Sequence, residues 1–380
     1  MTRPRILFVI NEDWFFQSHF LPWAIAARDA GFETVLHAAR GPAAERIEAE
    51  GIKVLAAKAA RAGLVPKNLL PAARQVMGLV EPARPTLVHA FGLHGMAIAS
   101  LARTMSGAFP TVISVTGLGF LAASRTPAKR FASGALALAA RSALDGDRTV
   151  WLTENPSDAL TMGLKRALRA GRVVQLGGAG VDIGAFSARP PLARPPLKLA
   201  LVARMIRSKG VDLAVAAVGA LRADGLDVTL TLVGAGDPLN PRAYTAAELA
   251  GFAASPGVTA LGARRDVAAI LREHHAFILP SRGGEGLPKA LLEAAACGLP
   301  AVVTDVPGCR EFVVEGTTGT IARPDDVASL AEAIRRLHAG EVDAIGQAAR
   351  ARVSDGYSVE TVAAAVLGTY RTLTAPRSDM

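Results

Sequence analysis

Residues 277–300 read FILPSRGGEGLPKALLEAAACGLP, and AVVT follows at 301–304. The apolar run Phe277–Pro280 is a strand that leads through a glycine-rich turn into a helical stretch, and Ala301–Thr304 is the next strand. Gly283, Gly284 and Gly286 let backbone come close to a ligand, and Pro288 suits a first helical turn. The same rhythm extends towards the N-terminus in strands at Leu199–Ala203, Val228–Val233 and Val258–Leu261. Strand and helix in alternation are the pattern of a doubly wound parallel sheet.

The first half repeats it. Strands are expected at Arg5–Ile10, Thr34–His37, Lys53–Ala56, Thr86–Ala90, Thr111–Val115, Val150–Thr153 and Val173–Leu176. Helical patterns fill Leu21–Ala30, Ala43–Glu50, Ala128–Leu144 and Asp158–Ala170, and Gly31 and Gly171 end two of them. Between the halves lies ARPPLARPPL, Ala188–Leu197, whose four prolines favour extended backbone. The expected division is therefore residues 1–187, a linker at 188–197, a second domain at 198–358, and a C-terminal helix at 359–380 that returns to the first domain.

Composition agrees with a layered α/β protein. The 380 residues are 51% hydrophobic and 20% charged, which excludes a disordered or collagen-like chain. Two cysteines, Cys297 and Cys309, build neither a disulfide framework nor a four-thiolate metal site, and they suit a reducing compartment. The apolar run Ile6–Ile10 meets Asn11, Glu12 and Asp13 too soon for a secretory segment. The uncharged stretch Thr104–Ser124 contains Pro110 and three glycines, so strand plus loop is expected there rather than a membrane span. Residues 1–190 hold 22 basic and 13 acidic side chains, whereas 191–380 are neutral. An uneven balance of this kind points to an anionic partner for the first half, or to a bias in composition.

Ligands of open α/β sheets bind beyond the carboxyl ends of the strands. Three blocks of the second half fall there. RMIRSKG places Arg204 and Lys209 around a turn that opens a helix, where a guanidinium fork and a point charge suit a diphosphate; the plainer reading is a solvated basic loop. The turn before the helix carries Glu285 to Leu287, whose N–H groups would point at an anion, and Glu293 lies eight residues after Glu285. On one helix the two carboxylates would be up to ~12 Å apart, at opposite ends of an extended ligand. As an isolated pair they read as surface charges. Finally, LGARRD at 261–266 would line a nucleotide base through Arg264, or form a basic turn capped by Asp266.

Taken together, Arg204 with Lys209-Gly210, LVGAGD containing Gly234, LGARRDV and EGLPKALLE resemble the retaining glycosyltransferases of family 4, whose signature is Glu, seven residues, Glu. GAGVD at Gly178–Asp182 belongs to the same pattern. The resemblance implies a GT-B fold, two facing Rossmann-like domains with a central cleft. It implies a nucleotide-sugar donor, UDP-linked by preference, a hexosyl or N-acetylhexosaminyl group, and neither metal nor cofactor. Arg204 and Lys209 would neutralise the departing diphosphate and Glu293 would hold the ribose. Glu285 would lie near the sugar, while Gly286 and Leu287 would add backbone donors. NEDWFFQSHF, LVHAFGLHG and TGLGF resemble enzymes that extend lipid-linked surface glycans in bacteria. They imply a polyprenyl-diphosphate-linked acceptor met by Asn11, His19, His94 and Gly117. The basic excess is dense at Lys58–Arg74 and Arg125–Arg172, among apolar stretches such as Leu64–Leu70 and Phe131–Ala140. That mixture suits docking on the cytoplasmic face of an anionic membrane, or reads as incidental surface charge over buried helices. This chain departs from the family in its first loop, Asn11–Phe20, and in Phe91 where a histidine is usual; His94 is its candidate replacement. His89 reads as a strand residue.

Three other readings compete with this one. Gly117-Leu-Gly-Phe-Leu-Ala122 fits a dinucleotide fingerprint, but the next acid, Asp145, is 28 residues after Gly117 rather than about 20. A nucleic-acid-binding protein would exploit the positive charge, yet the excess is spread over helices without interleaved aromatics, so no specific nucleic acid is expected. A catalytically silent scaffold is disfavoured because both glutamates and both cations are present.

Overall fold

The protein is described by a computed structural model covering residues 3–57, 66–80, 86–116, 127–236, 240 and 242–375, with side chains at all of these but 66–67 and 127–133. It divides into one unit of Met1–Ala179 with Glu360–Met380, and a second of Gly180–Val359. The first holds β1 (Arg5–Glu12), β2 (Glu33–Ala39), β3 (Lys53–Ala56), β4 (Thr86–Phe91), β5 (Thr111–Val115), β6 (Thr149–Thr153) and β7 (Val173–Gln175). They form a parallel sheet in the order β3-β2-β1-β4-β5-β6-β7. The second holds β8 (Leu197–Val202), β9 (Val228–Val233), β10 (Val258–Gly262), β11 (Ala276–Leu279), β12 (Ala301–Thr304) and β13 (Gly319–Ala322), ordered β10-β9-β8-β11-β12-β13 and again parallel.

Both sheets are covered on two faces, so their central strands are continuously apolar instead of alternating. In β1, Ile6, Phe8 and Ile10 enter an aromatic core with Phe16, Phe20, Trp23 and Phe91, while Leu7 and Val9 enter the opposite core with Val88 and Ile113. In β8, Leu199 and Leu201 face one core and Ala200 the other. Strand order reverses between β1 and β4 and between β8 and β11, which are the switch points where such sheets bind ligands.

The C-terminal helix, Val359–Thr374, completes the first unit. Val362, Val366 and Tyr370 lie in its aromatic core. The Tyr370 hydroxyl is 2.6 Å from His89 Nδ1, and His89 Nε2 is 2.7 Å from Ser114 Oγ. Fully buried in β4, His89 is a structural residue whose pKa burial pushes well down.

Four elements differ from the sequence reading. Asn11 belongs to β1 and Asp13–His19 is a helix, so Asn11–Phe20 is not a loop. The helix expected over 158–170 is two, Pro156–Thr161 and Lys165–Arg169, broken at Gly163, whose φ is 67°. Arg141 Nη1 donates there to Met162 O and Gly163 O. β13 was not expected, because GTIA offers too short an apolar run. The boundary falls at Ala179/Gly180 rather than at residues 188–197. The proline-rich run lies on the second unit, where Arg189 N donates to Cys297 O, the Ala193 carbonyl is 3.1 Å from His275 Nε2, and Arg194 Nη1 donates to His338 O.

Tyr370→Phe leaves His89 Nδ1 without its partner in an apolar core. It is expected to destabilise the first unit by about 1–3 kcal/mol and to leave the second unchanged, which scanning calorimetry reads as a fall in one transition only.

Candidate active site

The chemistry-bearing residues of the second unit collect at its switch point, after β8 and β11. Their loops are held by backbone contact. Gly210, at φ 67°, caps the helix Val211–Ala223, and a Cβ on it would lie 2.0 Å from Pro280 O. A Cβ on Gly308 would lie 1.7 Å from Gly286 O. Gly234, at the end of β9, similarly abuts Ala203 O. No other residue fits such approaches.

Within this frame Lys209 and Glu285 meet. Lys209 Nζ is 2.8 and 2.7 Å from the two Glu285 carboxylate oxygens, and both side chains are mostly shielded. The buried Ser281 hydroxyl is 2.6 Å from Glu285 Oε1 and 3.1 Å from Ser208 O. Arg204 is exposed at the carboxyl end of β8, where Met205 N donates to Ala235 O. Gly286 and Leu287 follow Glu285 in the turn, with Leu287 buried.

The helix begins only at Lys289, with Pro288 as its N-cap. Glu285 and the N–H groups of 285–287 thus precede the helix, and a spacing reckoned along its axis does not apply to Glu285 and Glu293. Glu293 lies inside the helix, 3.5 Å from Lys289 Nζ. Burial raises its pKa, with Lys289 opposing. Arg264 stands in the exposed turn after β10 and grips Asp266 through two bonds, one of them Nε to Oδ1 at 2.8 Å. Asp266 occupies the N-cap of Val267–Arg272 without a side-chain cap bond, because its carboxylate faces Arg264.

The sequence reading missed the brace of this turn. Arg282 donates from Nη1 and Nη2 to the two Asp212 oxygens at 2.8 and 2.9 Å, and from Nη1 to Arg207 O at 2.7 Å. Its Nε pairs with Asp325, which adopts a φ of 55°. Tyr244 OH donates to Asp212 Oδ1 at 2.6 Å, and burial together with Asp212 pushes its pKa up to about 12. Burial alone would raise Asp212, but Arg282 and Tyr244 hold it below its ordinary value. The only sequence signal was position: Arg282 lies in the glycine-rich turn, and Asp212 in the first turn of helix Val211–Ala223, directly after Lys209-Gly210.

In the first unit, Asn11 is exposed at the carboxyl end of β1, and His94 stands in the first turn of Gly92–Ser106, directly after β4. Burial and nearby His37 lower the His94 pKa, so its imidazole is neutral at pH 7. Phe91 is buried among aromatic rings. His19 ends its helix, its ring 4.2 Å from Phe15 and its Nδ1 2.6 Å from Ser18 Oγ. Gly117 lies outside the described residues. Asp13, missed in sequence, is a buried carboxylate that accepts from Trp14 N and Gly41 N, each at 2.7 Å.

Two family models match, glycosyl transferases group 1 over residues 196–339 and glycosyl transferase 4-like over residues 5–148. The chain is 31% identical over 195 residues to the putative colanic acid biosynthesis glycosyltransferase WcaL of Escherichia coli, covering 48% of this chain and 47% of that one. It is 40% identical over 86 residues, 23% of each, to N,N'-diacetylbacillosaminyl-diphospho-undecaprenol alpha-1,3-N-acetylgalactosaminyltransferase of Campylobacter jejuni. The first of these alignments spans less than half of the relative's length. The crystal structure of Anabaena HepE in complex with UDP superposes at a TM-score of 0.77 with 17% identity, over 97% of this chain and 100% of that one. Each unit has its own matching glycosyltransferase model, and the two-sheet architecture is that of solved GT-B structures: the chain belongs to the GT-B glycosyltransferases of group 1.

Proposed function

We propose that the protein is a retaining glycosyltransferase that moves a hexosyl or N-acetylhexosaminyl group from a UDP-sugar to a lipid-linked acceptor in polysaccharide synthesis. The observation that carries this reading is the shielded Lys209–Glu285 pair, held at the switch point of the second sheet, with Arg204 exposed in the same loop after β8. As the glycosidic bond to the donor breaks, negative charge grows on the diphosphate. Preorganised cations lower the barrier because they need no reorganisation when that charge appears. Lys209 and Arg204 supply them without metal. The arriving diphosphate competes with Glu285 for Lys209, which frees the carboxylate to accept from a sugar hydroxyl. Glu293 accepts from the ribose, Arg264 lies towards the base, and Gly286 and Leu287 supply backbone donors. On the acceptor side, Asn11 and neutral His94 stand at the first sheet's switch point, and His19 sits near the end of its helix. The UDP complex of HepE supports the donor class, and the diphospho-undecaprenol substrate in the name of the Campylobacter enzyme supports the acceptor class.

A panel of nucleotide sugars, scored by thermal stabilisation and then by product formed on polyprenyl-diphosphate glycans, tests the whole reading; stabilisation by none of them would overturn it. Lys209→Ala and Arg204→Ala are each expected to lower turnover about 100–1,000-fold, as loss of one preorganised donor does. Near-normal turnover in both would remove the assignment. Chelators are expected to leave turnover unchanged, and strict dependence on an added divalent ion would contradict the metal-free mechanism.

Glu293 gives a prediction with two signs. Its pKa is raised by burial, so its ionisation at neutral pH opposes folding, and that cost disappears as pH falls below the ordinary carboxylate range. Glu293→Gln is therefore expected to weaken nucleotide affinity, read by calorimetric titration, while the melting temperature at pH 7 stays equal or rises. The stability difference should close on acidification.

A further inference from the structure

The first unit presents one aromatic ring that its core does not take up. Helix Asp13–His19 follows β1 directly, at the carboxyl end of a strand that flanks the switch point of the first sheet. Its inner side is set by Asp13, Phe16 and, just past its end, Phe20, all buried. Phe16 packs on Phe8 and Phe20 on Phe91, with ring centroids 5.2 and 4.3 Å apart. Asp13 fastens the start of the helix to the loop after β2, since its carboxylate accepts from both Trp14 N and Gly41 N. A Cβ on Gly41 would lie 2.7 Å from Asp13 Oδ1, so the two segments are in close contact. Anchored at both ends, the helix cannot rotate, and Trp14 is held on its outer side.

Tryptophan is ordinarily a buried residue. Trp23 and Trp151 are 2% and 0% exposed, whereas Trp14 is 39% exposed. Of the exposed large apolar side chains among the described residues, Trp14 alone is aromatic. Its ring stands edge-on to Phe15 at 5.7 Å, and Phe15 in turn backs onto His19 at 4.2 Å and Phe20 at 5.7 Å. The indole is thus braced from behind. Gln17 and Ser18, three and four residues on, share its side of the helix; Gln17 is half-buried and Ser18 exposed.

We propose that Trp14 is the stacking platform of a glycan subsite, where a pyranose ring of the acceptor lays its C–H face on the indole and turns its hydroxyls towards Gln17 and Ser18. The face of an aromatic ring is negative and attracts the slightly positive C–H groups of a sugar. Small-molecule sites combine such an apolar surface with a few polar groups that fix orientation. A single flat ring bordered by an amide and a hydroxyl fits a cyclic polyol better than a prenyl chain, which needs a continuous apolar groove. It also falls far short of the ~800 Å² per partner that a second copy of the chain would cover. That the glycan is the acceptor rests on the transfer reaction proposed above, and the subsite then requires an acceptor that already bears a sugar.

The test reads sugar contact directly and needs no turnover. Saturation-transfer NMR on the full chain uses the methyl pyranosides of glucose, galactose, mannose and N-acetylglucosamine, with sorbitol and galactitol as open-chain polyols. At least one pyranoside is expected to receive saturation at its ring C–H protons, and the open-chain polyols none. Trp14→Ala should weaken binding about tenfold or more and remove that signal, as truncation of a central tryptophan does. Trp14→Phe, which keeps a flat ring, should retain part of it. The side chain is exposed, and unchanged melting temperatures will show that both variants fold. No pyranoside signal in the wild type, equal signal from the open-chain polyols, or full signal in Trp14→Ala would overturn the proposal. Saturation of farnesyl phosphate that Trp14→Ala removes, without any pyranoside signal, would assign the ring to the lipid instead. Thermal stabilisation by nucleotide sugars is expected to be the same in Trp14→Ala and wild type, which separates failure of this subsite from failure of the donor reading; its loss in the variant alone would place Trp14 against the donor and overturn the proposal.

Discussion

The active end of the second unit depends on backbone packed directly against backbone. Gly210 lies against Pro280 O and Gly308 against Gly286 O, each closer than any side chain permits. These contacts tie the loop after β8 to the loop after β11, and the latter to the loop after β12. Sheet order brings those strands side by side, but the missing side chains let their loops merge into a floor. Lys209 follows the first loop's turn and Glu285 lies in the second, so their contact is a product of that floor.

On this floor the charges are arranged in two tiers. Arg282 is spent on structure: Asp212, Asp325 and the Arg207 carbonyl take its donors, and the glycine-rich turn is fastened to the helix behind it. Lys209 and Glu285 are spent on each other, in a pair that solvent barely reaches. Cys309 lies buried close by, its thiol pushed up by desolvation and by Glu285. It is therefore an apolar filler beside the pair rather than a nucleophile.

Much of this was legible in the primary structure. The central strands are long apolar runs, and glycines 31 and 171 mark helix ends because their φ of 91° and 65° suits few other residues. Lys209, Glu285 and Glu293 could be singled out because their motifs are local. What escaped notice was non-local. Arg282 and Asp212 are 70 residues apart, and no periodicity links them. β13 is recognised only through its pairing with β12, where a Cβ on Gly319 would lie 2.0 Å from Ala301 O. The break at Gly163 needs Arg141 from another helix to satisfy its carbonyls. The proline-rich run reads as a spacer until the surface that receives it is folded.

The return of the terminal helix imposes an order on synthesis. The first unit leaves the ribosome with a gap in its aromatic core where Val362, Val366 and Tyr370 belong, and His89 waits for its hydroxyl partner. The whole of Gly180–Val359 is made before that helix emerges. At roughly 5–20 residues per second, the gap stays open for about ten seconds or more. The second unit, being one continuous stretch, is free to fold in that interval. The domain begun first is thus the one finished last, and the nascent chain must shield an open apolar groove until its final helix arrives.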